Sequence, residues 1–312
     1  MEEELYVLED LPEDHRSGFV AVVGKPNVGK STLMNALLGQ KIAIVSPKPQ
    51  TTRTQILGIL TRPEAQIVFM DTPGLHKPQH KLGEYMVETA ERAIPDADLV
   101  AFLVDATKPP TQADTAIADM LAEVEQPLLL VLNKVDAVNP EAFERIAQSY
   151  RALADFEAEV AVSALTGRAL ASLLETMIDI LPRGPRYFPE EQVTDQMERF
   201  IVAELVREQV LDKLRQEVPH AVAVVVEQFK ERPEGKIYVE ANVYVEKESQ
   251  KGILIGRGGR MLKRIGRDAR KEIEDFLQAP VYLDLWVKVL KNWRKKDHLL
   301  RRLGYGSSKR PT

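Results

Sequence analysis

The chain of 312 residues contains no cysteine, which excludes disulfides and thiolate metal sites and suits a reducing compartment. No run approaches the ~18 apolar residues that would span a bilayer. Internal repeats and low-complexity segments are also missing, apart from a short polar end at residues 304–312. The five histidines, at 15, 76, 80, 220 and 298, fall at no metal-ligand spacing and read as surface or packing residues. The start of the chain lacks the basic character of a targeting peptide; it carries Glu2, Glu3, Glu4, Glu9, Asp10, Glu13 and Asp14, as expected of a solvated tail. What is present is ordinary for packed domains, with 44% hydrophobic and 29% charged residues, so wholesale disorder is set aside. The length exceeds what one core usually organises, and two domains are expected.

Charge divides unevenly between them. Residues 195–312 hold 25 Lys+Arg against 18 Asp+Glu, a balance of +7, while residues 1–194 hold 17 against 29, or −12. A basic part within an acidic protein points to a polyanionic partner confined to one domain.

From residue 18 to about 181, near-continuous aliphatic runs at 19–23, 67–70, 99–104, 128–132 and 160–162 read as strands buried on both faces. Helical patterns at 31–38, 113–124 and 142–153 alternate with them, predicting a doubly wound α/β domain with a mostly parallel sheet. Three prolines and a glycine at residues 182–189 break both periods and predict a linker. Beyond it the pattern is α-β-β-α-α-β: a helix at 197–217, strands at 221–229 and 236–245, helical segments around a glycine-rich turn, and a last apolar strand at 281–289 in which Trp286 reads as a core residue. Pro233-Glu234-Gly235 predicts a hairpin between the first two strands. The division expected is an acidic tail at 1–17, a first domain at 18–182, a linker at 183–195, a smaller α+β domain at 196–290 and a basic tail at 291–312.

Gly24-Lys25-Pro26-Asn27-Val28-Gly29-Lys30-Ser31 is a complete GxxxxGKS between a strand and a helix, the context this motif requires. Its backbone amides and the helix N-terminus would cradle phosphates, Lys30 would supply a mobile cation, and Ser31 would place a hydroxyl on Mg²⁺, with Thr32 completing the site. Asp71-Thr72-Pro73-Gly74 follows a buried strand, which sets Asp71 at the ligand-binding edge of the sheet. Asp71 suits Mg²⁺, and the Gly74 amide suits the γ-phosphate. Asn133-Lys134-Val135-Asp136 sets the base. The Asp136 carboxylate can accept from N1–H and the exocyclic amine of guanine, whereas adenine would leave it desolvated and unpaired at a cost of about 1–3 kcal/mol per group or more. GTP is therefore expected over ATP. Ser163-Ala164-Leu165 fits a further base-contact loop.

These motifs, in this order, resemble the G1, G3, G4 and G5 boxes of translation-factor-type GTPases, and Gln50-Thr51-Thr52-Arg53 resembles the G2 switch. The resemblance gives Thr52 a place on Mg²⁺, with Thr51 the alternative. Leu75 stands where Ras-like proteins carry a water-positioning glutamine, so slow turnover is expected, assisted by Lys30, Thr52, the Gly74 backbone and the metal. Asn27 resembles the asparagine that helps bind K⁺ in potassium-stimulated relatives.

In the second domain, Gly256-Arg257-Gly258-Gly259 is a GxxG turn flanked by Lys251, Arg260, Lys263, Arg264, Arg267 and Arg270. Such a turn lets a sugar-phosphate chain approach the backbone, with Ile253 and Ile255 expected as an apolar floor for about four nucleotides. The cations predict salt-dependent binding. Turn, element order and basic helix together resemble a type II KH domain.

The union of such a G domain with a KH domain resembles the Era family of bacterial GTPases over residues 18–305, including the closing Leu303-Gly304-Tyr305. The resemblance implies a cytoplasmic monomer that binds single-stranded RNA near the 3′ end of 16S ribosomal RNA and assists 30S maturation, with peripheral membrane association. A signalling GTPase whose second domain binds a protein effector, and a GTPase partner of an RNA-modifying enzyme, stay open on the residues alone.

Overall fold

The computed structural model describes residues 11–214 and 217–305. The first domain runs β1 (Arg16–Val23), α1 (Lys30–Leu38), β2 (Ile56–Thr61), β3 (Ala65–Asp71), α2 (Lys81–Ala93), β4 (Leu99–Asp105), α3 (Gln112–Leu121), β5 (Leu128–Asn133), α4 (Pro140–Arg151), β6 (Ala158–Ala161) and α5 (Leu170–Ile180). Its six strands lie in the order β2-β3-β1-β4-β5-β6. All neighbours pair in parallel except β2 with β3.

The two faces explain the unbroken apolar runs. Val20 and Val22 enter a core with Leu33, Met34, Leu173 and Met177, while Ala21 and Val23 enter a second core with Ala90, Ile117, Ile146 and Tyr150. Both faces of the sheet are therefore covered by helices. Strand β2, which has no counterpart among the predicted runs, is the antiparallel edge. It follows the residues of the G2 switch directly.

The second domain comprises α6 (Glu198–Lys213), β7 (Ala223–Glu231), β8 (Ile237–Val245), α7 (Glu248–Ile255), α8 (Arg260–Leu277) and β9 (Val281–Val289), closed by α9 (Asp297–Arg302). Strand β8 is central, antiparallel to β7 and parallel to β9, and α6 and α8 pack on one face of this sheet. This is the predicted α-β-β-α-α-β order, with the first helix ending at Lys213.

Four expectations change. The acidic tail gives way to structure before residue 18, because Arg16 and Ser17 belong to β1 and His15 is buried with its Nδ1 2.8 Å from Gly184 O; residues 1–10 lie outside the described residues. The proline-rich stretch does not hang free. Gln66 Oε1 accepts from the amides of Tyr187 and Phe188 at 2.7 and 3.0 Å, and the Ile59 amide donates to Val193 O at 2.8 Å, so residues 187–194 lie along the β2–β3 edge. Nor is 291–305 a tail. Trp293, Leu300, Leu303 and Tyr305 are buried with Leu82 and Met86 of α2. Trp286 reverses in turn: expected in the core, it is 54% exposed, because Val281, Leu283, Leu285 and Val287 occupy the inward face of β9 and Trp286 falls on the other.

Candidate functional site

The loop from β1 to α1 carries GxxxxGKS, and the C-terminal ends of β3 and β5 bring the other motifs beside it, at the edge where parallel sheets bind ligands. At the phosphate end, Lys30 Nζ donates to Gly24 O at 3.1 Å and Lys25 O at 3.0 Å. Burial lowers the Lys30 pKa to about 8, against the pull of Asp71. Burial likewise raises that of Asp71 to about 6, against hydrogen bonds from Ser31 and Thr52 and the charge of Lys30. Both groups are thus held in a dry place that favours counter-charges.

Three oxygens converge there. Ser31 Oγ lies 2.9 Å from Thr52 Oγ1 and 2.7 Å from Asp71 Oδ2, and Thr52 Oγ1 lies 3.5 Å from Asp71 Oδ2. Among the described residues the buried Asp71 Oδ1 has no hydrogen-bond partner. A hard, oxygen-seeking cation such as Mg²⁺ fits this donor set, directly or through water. Thr51 points elsewhere: its hydroxyl donates to Lys48 O at 2.6 Å.

Gly74 packs against the P-loop so closely that a Cβ would stand 2.6 Å from Pro26 N. Its backbone can therefore reach the phosphate cradle, where any larger residue would push it away. Leu75 donates its amide to Gly24 O at 3.2 Å and turns its side chain into the core, 6% exposed, so it orients no water. The Asn27 side chain donates to Pro47 O in the switch loop at 2.8 Å.

At the base end, Asn133 is a brace. It donates to Val28 O at 2.8 Å and accepts from the Ala164 amide at 2.9 Å, tying the P-loop to the loop of Ser163. Ser163 Oγ donates to Asp136 Oδ1 at 2.5 Å and steadies that carboxylate. Lys134 pairs with Asp105 at 2.8 Å and donates to Asn27 O at 2.8 Å. Asp105 was not foreseen, though its place at the end of a buried strand is a usable signal. Leu165 is 79% exposed.

The switch segment touches the second domain as well as the nucleotide loops. Arg53, next to Thr52, is 1% exposed and donates to Val222 O at 2.6 Å and to His220 O at 3.3 Å. Its guanidinium lies 5.7 Å from the ring centroids of both Trp293 and Tyr305. Arg207 of α6, fully buried, donates to Thr51 O and pairs with Glu204. Lys41 and the Val45 amide bind Glu208 at 2.6 and 2.9 Å. These interdomain partners lie far apart in sequence, and no local motif announces them.

In the second domain, Gly256, Gly258 and Gly259 all have positive φ, of 69°, 61° and 75°. A side chain at 258 would meet open space but a strained backbone, so glycine is needed there for the turn. Beyond it lies a cleft between α8 and β9, with Lys263, Arg267 and Arg270 along the helix and Leu262, Leu283 and Leu285 as its apolar part. Gly266 lets the strand come near, since a Cβ would lie 3.4 Å from Leu285 Cδ1. Ile253 and Ile255, expected as an apolar floor, are not among the residues lining this cleft. Ile255 packs on the domain core and Ile253 stands 52% exposed on α7, because Leu254 takes the inward position. Arg257, Arg260 and Arg264 are exposed near the turn, and Lys251 is half-buried on α7. Among the described residues no His/Asp/Glu group could hold a further metal, and no helix is long and apolar enough to cross a membrane.

Comparison with known proteins agrees with this arrangement. The family described as 50S ribosome-binding GTPase matches residues 19–134, and the KH domain family matches residues 217–294. GTPase Era of Ruminiclostridium cellulolyticum is 49% identical over 295 residues, covering 95% of this chain and 99% of its own. GTPase Era of Halothermothrix orenii is 49% identical over 291 residues, covering 93% and 99%. Among solved structures, Era in complex with MgGDPNP and nucleotides 1506–1542 of 16S ribosomal RNA superposes with a TM-score of 0.91 at 39% identity, over 94% of this chain and all of that one. A point variant of Aquifex aeolicus Era bound to GDP·AlF4⁻ gives 0.90 at 38% identity with the same coverage. With motifs, fold and near full-length likeness in agreement, the chain belongs to the Era family of GTPases.

Proposed function

We propose that this GTPase uses its nucleotide to set the posture of an RNA-gripping domain, acting on single-stranded RNA near the 3′ end of 16S ribosomal RNA during 30S maturation. It works as a monomer in the cytoplasm, with a share at the inner face of the cell membrane. The observation that carries this reading is the position of Thr52. Its hydroxyl stands with Ser31 and Asp71, while Thr51 and Arg53 on either side are held by Arg207 and Val222 of the second domain. A group that senses the γ-phosphate and its metal is thus one residue from two interdomain contacts.

Within the site, Lys30 and the P-loop amides bind and orient the phosphates, and Ser31, Thr52 and Asp71 would hold Mg²⁺, which neutralises phosphate charge when bound. The Gly74 amide reaches the γ-phosphate, Asp136 selects guanine, and Leu75 leaves water positioning to backbone groups. The relative solved with an RNA fragment supports RNA as the partner of the basic cleft.

Short labelled oligoribonucleotides titrated over a salt series test the RNA half. We expect log Kd to depend on log salt with a slope of about 0.7 per phosphate contacted. Gly258→Asp should weaken binding by about a hundredfold, through backbone strain at a φ of 61° and repulsion of phosphate. Indifference to both would instead favour a protein effector on this face.

Asn27 carries a second expectation. Its amide sits against a switch carbonyl, Pro47 O, beside the phosphate cradle, a place where a monovalent cation can add positive charge. Turnover in KCl should exceed that in NaCl at equal ionic strength by about tenfold, equivalent to about 1.4 kcal/mol of barrier. Asn27→Ala should erase the difference, and equal rates in the two salts would end the K⁺ proposal.

A further inference from the structure

The outer face of the KH sheet, turned away from α6 and α8, carries the aromatic rings of Tyr238, Tyr282 and Trp286, of which only Tyr282 also borders the cleft. Because β8 and β9 pair in parallel, Tyr238 stands beside Tyr282 and Asn242 beside Trp286. The two tyrosine rings stack with centroids 5.8 Å apart and planes 16° from parallel. Arg232 lies over both rings, 4.7 and 6.0 Å from their centroids. Yet Tyr282 and Trp286 remain 56% and 54% exposed.

Much of the neighbouring surface is satisfied internally. Asn242 donates to Glu227, and Gln228 donates to Glu240 at 3.0 Å. Asp284, between the two open rings, accepts from Trp286 Nε1 at 3.3 Å. What the face offers a partner is therefore the open surface of Tyr282 and Trp286, with Arg232 capping the tyrosine pair at one end and the exposed Lys288 near the other. Flat rings flanked by guanidinium and ammonium groups suit unpaired bases, which stack without sequence readout while phosphates seek the cations. Asp284 and Glu240 disfavour phosphate directly on the sheet, which leaves the bases to face it.

Continuity with the cleft identifies the occupant. Tyr282 lines the cleft together with Lys263 and Arg267, and its ring also belongs to the outer stack, so one residue joins the two surfaces around the β9 edge. Tyr282 and Trp286 are separated by about 13 Å along the strand, so each ring seats its own base.

We propose that the outer sheet face is a second stacking platform, on which single-stranded RNA extending from the cleft lays further bases against Trp286 and the Tyr238–Tyr282 pair. This rests on the cleft being an RNA site, and it lengthens the footprint beyond the roughly four nucleotides that a KH groove accommodates.

The test uses the full chain with labelled oligoribonucleotides, about four and about twelve nucleotides long, taken from the 3′ end of 16S ribosomal RNA, the shorter matched to a KH groove. The longer one should bind at least about tenfold more tightly, the effect of one stacked base. It should also quench tryptophan fluorescence, a signal assigned to Trp286 because Trp293 is fully buried. Trp286→Ala should lose about tenfold for the longer RNA only, leaving the tetranucleotide and GTP turnover unchanged, and Trp286→Phe should recover most of the loss. Unchanged affinity of Trp286→Ala for the longer RNA overturns the proposal. So does reduced self-association of that variant without a change in RNA binding, which would assign the face to a protein. Failure of the cleft itself is distinguishable: both lengths would then bind equally poorly, and Gly258→Asp would change neither.

Discussion

Replacing Asp136 by alanine should lower GTP affinity on the order of a hundredfold or more while leaving the fold intact. The carboxylate is at the surface end of the site, steadied by Ser163, and no core packing depends on it. Two hydrogen bonds to a charged acceptor contribute about 1.5–3 kcal/mol each, and about 1.4 kcal/mol is tenfold in affinity. The more informative change is Asp136→Asn. An amide there offers one donor and one acceptor, which mismatches guanine but matches xanthine, whose C2 carries an oxygen in place of the amine. Competition binding of GTP, ATP and xanthosine triphosphate reads the outcome. A variant that still preferred GTP would place guanine recognition elsewhere.

Glu204→Gln should have the largest effect on stability. Arg207 and Arg53 are both buried, at 0% and 1% exposure, and Glu204 is the carboxylate paired with Arg207. Burial lowers the pKa of Arg53, and the charge of Arg207 pushes the same way. Removing the paired anion leaves two like charges in a dry interface, at a cost of about 3–5 kcal/mol. Because these residues sit where two domains meet, the molecule can relieve the strain by parting them. We therefore expect a lower urea midpoint and a larger radius of gyration by small-angle scattering. Arg207→Met combined with Glu204→Leu removes both charges at the same interface and should cost less than Glu204→Gln alone. A Glu204→Gln protein as stable and compact as its parent would show that the pair does not hold the domains together.

The nucleotide loops were legible in the sequence because each is a contiguous string after a buried strand. Gly24 to Ser31 and Asn133 to Asp136 need no distant partner to be recognised. The α/β alternation was equally plain, since strands covered on both faces carry unbroken aliphatic runs. What escaped is long-range. Residues 182–189 contain breakers that exclude helix and strand, and nothing local says that Gln66 captures Tyr187 and Phe188 among them. Arg53, Arg207 and Glu204 are ordinary charges on paper; only the fold makes them a buried cluster. Trp286 is a different kind of miss. The alternation of Val281, Leu283, Leu285 and Val287 already placed the even-numbered residues of that strand on the opposite face, and it was outweighed by the apolar character of the run.

The KH domain is attached to the G domain at both of its ends, by the segment laid along the β2–β3 edge and by Trp293 and Tyr305 beneath α2. Two moorings make every contact with the switch loop an intramolecular event, at an effective concentration on the order of millimolar or above. A clasp of that kind can be weak in each of its bonds and still stay shut.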